Sequence, residues 1–202
     1  MRTMKVITVR KLLFAIVLSA FASNMACGDS PAVRNCTWCH GISGEGIYPA
    51  PALAGQRSQY IQVQLSKFAS HERDNPFSRQ YMWPATEALS AQSALALSIY
   101  FSELSPRVAN DGVSELADFG KRIYENGEPE ANIVACIACH GPNAVGVREI
   151  PRLAGLSNLY LKRKLEEWGE GFHTSSLPMS RIASKLPAEE IDALASYLSF
   201  VK

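Results

Sequence analysis

Two pentapeptides carry the residue types with the most chemistry. Cys36-Thr37-Trp38-Cys39-His40 and Cys136-Ile137-Ala138-Cys139-His140 each set two thiols three positions apart, with an imidazole directly after the second. That spacing fits covalent attachment of haem c: two thiols add to the two vinyl groups of one haem, and the adjacent His offers a ring nitrogen to the iron. A redox dithiol needs no His after its second Cys and no second copy. A zinc site needs C-x-x-C pairs folded onto one metal, and would leave His40 and His140 unexplained. The motifs predict two covalently bound haem c groups, with Cys36, Cys39, Cys136 and Cys139 as attachment points and His40 and His140 as iron ligands.

A haem iron held by His takes a sixth ligand or keeps an open position, and Met is the usual partner in electron-transfer cytochromes. Beyond residue 22 the chain has only Met25, Met82 and Met179. Met82 and Met179 fall one per half, 42 and 39 residues after their His, each in a polar stretch expected to be loop. A lone Met is more often core filler, but a pair in matching context reads as ligands. The rivals are His71 and His173, also one per half. They lie 11 and 6 residues before their Met, out of register, and are expected to be solvated loop residues. Pro51 and Pro151 each follow their His by 11 residues. A ligating His usually gives its other ring N–H to an acceptor, and the Pro carbonyl is the candidate; an ordinary turn Pro is the plain alternative.

The elements that must position these residues are duplicated. Cys36, Cys39, His40, Gly41 and Gly46 recur 100 positions later, as does Pro51-x-Leu53-Ala54-Gly55 in Pro151-x-Leu153-Ala154-Gly155. After Tyr60/Tyr160 and Leu65/Leu165 the offset falls to 97, pairing Met82 with Met179, Leu89 with Leu186 and Tyr100 with Tyr197. A constant offset with one three-residue slip describes a duplicated domain with one shortened loop. Helical spacing of apolar residues predicts a helix over 57–70, and the Ala- and Leu-rich run 90–104 a second, capped by Ser90. In the second half, Ser114 is expected to cap a helix to about Asn126, closed by Gly127. Another runs from about Asn158 to Trp168, and a closing helix has Pro187 in its first turn. Tyr100 and Tyr197 are expected to pack within the closing helices. No strand alternation is present, so the fold class is all-α. The expected division is 1–22 signal peptide, 23–104 domain 1, 105–113 linker and 114–202 domain 2.

Residues 1–22 read as an export signal, with basic residues Arg2, Lys5, Arg10 and Lys11, an apolar run Leu12–Ala22 and the small-x-small Ala20-Phe21-Ala22. The apolar run is about half of what spans a membrane. Export fits the motifs and predicts a periplasmic location. Four of the 20 basic residues lie in that segment, leaving 16 against 19 acidic residues and a net charge of −3. No basic face for a nucleic-acid partner is expected. Cys27 is the odd cysteine. It is either a free thiol or, if processing falls at Ala26-Cys27, a lipidated membrane tether, although Asn24 stands where lipoprotein processing calls for an apolar residue.

From the two C-x-x-C-H motifs, the repeated Pro-x-Leu-Ala-Gly and the paired Met before each closing helix, the chain resembles dihaem class I cytochromes c of the cytochrome c4 type, over about residues 28–202. The resemblance implies two tandem class I cytochrome c domains, each wrapped around one covalent haem, with the haems facing each other across the interface. It implies His40 with Met82 on one iron, His140 with Met179 on the other, and Pro51 and Pro151 beside the proximal histidines. It also implies periplasmic electron transfer between respiratory redox proteins, often toward a membrane-bound terminal oxidase. The alternative is an electron-transfer subunit of a dehydrogenase or oxidase complex. A haem peroxidase would need one open iron, whereas both halves keep a Met. One departure stands out. Family domains open with a helix packed across the closing helix. Residues 114–126, with Gly120 and Tyr124, suit that role in the second half, but the first half has little room for it before Cys36.

Overall fold

The computed structural model describes residues 31–172 and 177–202. The signal segment, Met25, Cys27 and His173 lie outside the described residues. Among the described residues the chain is helical, with no strand beyond the isolated bridges Glu128–Ile133 and Val147–Ile150. Domain 1 contains α1 (Pro31–His40), α2 (Ser58–Ala69), a π-helical turn (Ser78–Met82), α3 (Trp83–Thr86) and α4 (Ala91–Glu103). Domain 2 contains α5 (Ser114–Asn126), a 3-10 turn (Pro129–Ala131), α6 (Ile137–His140), α7 (Asn158–Gly169), α8 (Leu177–Ala183) and α9 (Ala188–Phe200).

Three local expectations are corrected. Met82 and Met179 were expected in loops, yet Met82 closes the π-helical turn and Met179 lies within α8. Pro84 and Pro178 sit in first turns, where a missing N–H costs nothing. Ser114 does not cap α5: the N-cap is Val113, whose N–H donates to Ser196 Oγ at 3.1 Å. Pro187 is the N-cap of α9 rather than a first-turn residue. Ser90 does cap α4, accepting from Ser93 N at 3.1 Å.

Among the described residues the two halves differ in the helix that precedes each closing helix. In domain 2, α5 crosses α9 so closely that a Cβ on Gly120 would stand 2.0 Å from Ala193 O. Ile123 and Tyr124 of α5 are fully buried in a core shared with Leu161, Leu165, Ile191, Leu194 and Leu198. Tyr124 and Tyr197 meet with ring centroids 5.6 Å apart. In domain 1 the helix entering the core is α1 itself, which ends in the haem motif; its Val33 packs with Ile61, Leu97 and Phe101. On α4, Leu95 and Ile99 remain nearly half exposed.

The linker lies along domain 2. Ala109 N donates to Gly155 O and Asn110 N to Ser199 O, both at 3.0 Å. Asp111 accepts from Ser157 Oγ and from Asn158 N at 2.8 Å, capping α7 from outside that helix.

Candidate functional site

The two motifs are held by one local design, built twice. Each ends a helical turn on its His, and Gly41 (φ +83°) and Gly141 (φ +80°) turn the chain away. The His carbonyl then accepts from a glycine N–H five residues after that turn: Gly46 to His40 O at 2.7 Å, Gly146 to His140 O at 2.9 Å. These two glycines are required. Both have positive φ, and a Cβ would meet Ala52 N at 2.5 Å in one copy and Ile150 O at 2.3 Å in the other. The Pro-x-Leu-Ala-Gly loop is pinned at both ends. Leu53 N and Ala54 N donate to Gly44 O, and Gly55 N to Phe101 O on the closing helix. Leu153 N and Ala154 N donate to Ala144 O, and Gly155 N to Leu198 O.

This loop brings the Pro carbonyl to the His. His40 Nδ1 lies 2.8 Å from Pro51 O, and His140 Nδ1 lies 3.0 Å from Pro151 O. A carbonyl only accepts, so each Nδ1 carries the proton and each Nε2 keeps its lone pair. Both imidazoles are buried. Burial pushes the His40 pKa down, the Pro51 carbonyl works against that, and Arg73 adds to the depression. Burial does the same at His140, again opposed by its Pro carbonyl. Neutral, oriented imidazoles are what a metal requires. The four motif cysteines are in no disulfide, with Cys39 and Cys139 exposed and Cys36 and Cys136 half-buried. Burial raises Cys36, and raises Cys136 to about 11.

Of the two methionines expected to be ligands, Met82 sits on a braced turn. Thr86 Oγ1 donates to Met82 O at 2.8 Å, and Trp83 Nε1 donates to Arg73 O at 2.9 Å, bracing the π-helical turn. His71, exposed and at φ +63°, stacks on Trp83 with centroids 3.8 Å apart. It is thus a surface ring on the brace. Met82 and Met179 are both half-buried.

A third cluster, which the sequence pattern did not reveal, joins the halves. Arg163 of α7 donates Nη2 to Pro49 O at 2.9 Å and lies 4.2 Å from the Phe77 ring centroid, with Tyr48 and Tyr160 near. One turn on, Glu167 accepts from Asn75 Nδ2 of domain 1 at 2.7 Å and from Lys164 Nζ at 2.5 Å. Asn75 also accepts from Ser78 Oγ, at the start of the Met82 turn. Gln56 of domain 1 donates to Arg152 O at 2.9 Å and accepts from Arg152 N at 2.8 Å. Burial pushes Lys164 down to about 7, with Arg73 adding to this and Glu167 opposing it. Burial also works against the charge of Arg73, but Tyr60, Tyr160 and Glu167 outweigh it and raise its pKa. A signal for this cluster existed: these are positions where the two copies disagree, Gln56 against Leu156 and Arg163 against Val63.

The residues suit a haem at each site. Each half offers two thiols and a neutral, oriented imidazole. In addition, the buried Nε of Arg57 and the Nε and Nη1 of Arg163 have no hydrogen-bond acceptor among the described residues. Buried donors need acceptors, and a haem's carboxylates are anionic acceptors. When bound, the haem iron supplies a reversible one-electron change; the protein sets its ligands, its burial and its neighbours.

Comparison with known proteins agrees with this geometry. The cytochrome c family profile matches residues 28–105 and 117–202. Cytochrome c-552 of Acidithiobacillus ferridurans is 34% identical over 198 residues, covering 93% of this chain and 86% of its own length. A protein of Stutzerimonas stutzeri (strain A1501) named thiosulfate dehydrogenase electron acceptor is 36% identical over 181 residues, covering 86% and 82%. The structure of Acidithiobacillus ferrooxidans cytochrome c4 superposes with a TM-score of 0.77 at 34% identity, over 82% of this chain and 98% of that one. The chain therefore belongs to the cytochrome c family, as an electron-transfer protein of the two-domain cytochrome c4 type with two covalently bound haem c groups.

Proposed function

We propose that this protein works in the periplasm, taking electrons from a dehydrogenase that oxidises thiosulfate and passing them through both haems toward a membrane-bound terminal oxidase. Cys36, Cys39, His40 and Met82 hold one haem, and Cys136, Cys139, His140 and Met179 the other, with Pro51 and Pro151 orienting the histidines. The observation that carries the relay is the hydrogen-bonded junction: Gln56 to Arg152, Arg163 to Pro49 and Asn75 to Glu167 tie the two His–Pro sites into one body. A fixed separation between two redox centres lets an electron entering at one leave from the other. The dehydrogenase is suggested by the name of the S. stutzeri relative. Among the described residues no helix is long and apolar enough to cross a membrane.

The same relative favours a second reading, in which the chain is a resident subunit of the dehydrogenase. One experiment separates the two. The dihaem protein is mixed with purified thiosulfate dehydrogenase and thiosulfate, and haem reduction is followed by stopped flow. Reduction of both haems without co-elution on size exclusion supports the carrier. Co-elution supports the subunit. No reduction above the rate with thiosulfate alone removes this donor.

A further inference from the structure

We infer that Gln56 of domain 1 is a positioning residue for the proximal histidine of domain 2. This deepens the haem-ligand reading and rests on His140 being the ligand. One amide links the two residues. Pro151 C=O and Arg152 N–H are the two ends of the same planar peptide group. Its oxygen lies 3.0 Å from His140 Nδ1, and its N–H donates to Gln56 Oε1 at 2.8 Å. Gln56 Nε2 also donates to Arg152 O at 2.9 Å, so the side chain clamps this backbone at two points. Gln56 Oε1 further accepts from Arg57 N at 2.9 Å, which fixes the clamp to its own domain. Gln56 is 5% exposed, so water does not compete for these bonds.

Two effects reach His140. Holding the N–H fixes the plane of the amide, and with it the direction in which the carbonyl meets the imidazole. Accepting from the N–H also polarises the amide and makes its oxygen a stronger acceptor. A stronger acceptor on Nδ1 makes the imidazole more electron-donating, which favours the oxidised iron and lowers the potential. The device is one-way. The counterpart of Gln56 is Leu156, whose apolar side chain can do neither for the Pro51–Ala52 peptide.

The test uses the dihaem protein with Gln56→Met, which keeps the shape and removes the polar atoms, and Gln56→Glu, which keeps an acceptor for Arg152 N. Loss of that polarisation is expected to change how haem 1 (at His40) and haem 2 (at His140) share one electron by up to about twofold. Redox titration should show Gln56→Met shifting that equilibrium toward haem 2, with the haem 1 potential unchanged. Gln56→Glu should not shift it that way. Unchanged potentials in Gln56→Met, equal shifts at both haems, or a Gln56→Glu response matching Gln56→Met would each overturn the inference. Paramagnetic NMR of the oxidised protein separates the premise. His140 ring signals without a hyperfine shift mean that the ligand reading itself is wrong. Hyperfine-shifted His140 signals with no response to Gln56→Met sink only the role of Gln56.

Discussion

Replacing Asn75 with Ala should loosen the methionine side of domain 1 from the domain 2 side of the interface. Asn75 is 2% exposed and makes two bonds that matter, Nδ2 to Glu167 Oε1 at 2.7 Å and Oδ1 from Ser78 Oγ. The first is charge-assisted and worth about 1.5–3 kcal/mol, the second about 1 kcal/mol. Glu167 keeps Lys164 at 2.5 Å, so its charge is not stranded, but the Ser78 hydroxyl, 4% exposed, is. The total loss is therefore about 3 kcal/mol, or roughly 6–12 °C in Tm for a protein of this size. Part of it falls locally, because Ser78 opens the π-helical turn that ends at Met82. If about half does, and Met82 is the iron ligand as proposed, its release becomes about tenfold easier. Imidazole competes for the vacated position, so its titration against the far-red methionine–iron charge-transfer band should show about tenfold tighter binding at haem 1 and no change at haem 2. Leu97→Val, in the domain 1 core, controls for general destabilisation: it should lower Tm but leave imidazole affinity alone. An Asn75→Ala protein with wild-type imidazole affinity, or one in which both haems or the Leu97→Val control respond alike, would refute the reasoning.

Gly120→Ala should destabilise domain 2 by about 2 kcal/mol or more in thermal melts, despite about 1 kcal/mol of improved helix propensity, because the new Cβ meets Ala193 O at 2.0 Å and Tyr197 Cβ at 2.8 Å. An unchanged or raised Tm would mean that α5 and α9 are not packed this closely. Met82→Ala and Met179→Ala should each remove one haem's share of the charge-transfer band; an intact band in either variant takes that Met out of its site. Lys164 predicts a pH dependence. Its pKa is about 7 when folded and about 10.4 in an unfolded chain. Between those values the unfolded state binds more protons, so this group makes stability rise with pH across that window and adds nothing to the slope below it. Denaturant titrations of Lys164→Met should show a flatter rise; a slope equal to wild type would place the lysine's proton elsewhere.

Much of the site was legible because its parts recur. The motif spacing, the Pro 11 residues on and the glycines at matching offsets all follow from one local design written twice, and each His–Pro hydrogen bond closes over that spacing. The helices were legible from apolar periodicity, with ends misjudged where a residue had two uses. Pro84 and Pro178 punctuate loops in most contexts, but in a first turn they start helices, and this hid the helical setting of both methionines. The interface was not legible. Repeat logic rewards agreement between copies, whereas a junction between copies is built from disagreement. Arg163 and Gln56 break the repeat, and both turned out to face the other domain. Composition could not show this, since a charged residue on an amphipathic helix ordinarily faces solvent.

The duplication therefore produced two sites of one design with unequal support. Domain 2 braces its own haem motif: Tyr124 of α5 donates to Gly141 O at 2.5 Å, directly after His140, and α5 is locked over α9 at Gly120. Domain 1 has no described counterpart of α5, and the residues that steady its Met82 turn include Arg163 and Glu167 from the other half. Because α7 is itself buried in the domain 2 core through Leu161 and Leu165, domain 2 provides a formed surface onto which the Met82 segment docks, whereas the domain 1 core of Val33, Ile61, Leu97 and Phe101 is small. Loss of native structure should then begin at the Met82 segment and in domain 1, with domain 2 persisting. Amide hydrogen exchange tests this order directly: protection on α4 should fall before protection on α9, and the reverse order would mean that domain 1 does not depend on its neighbour.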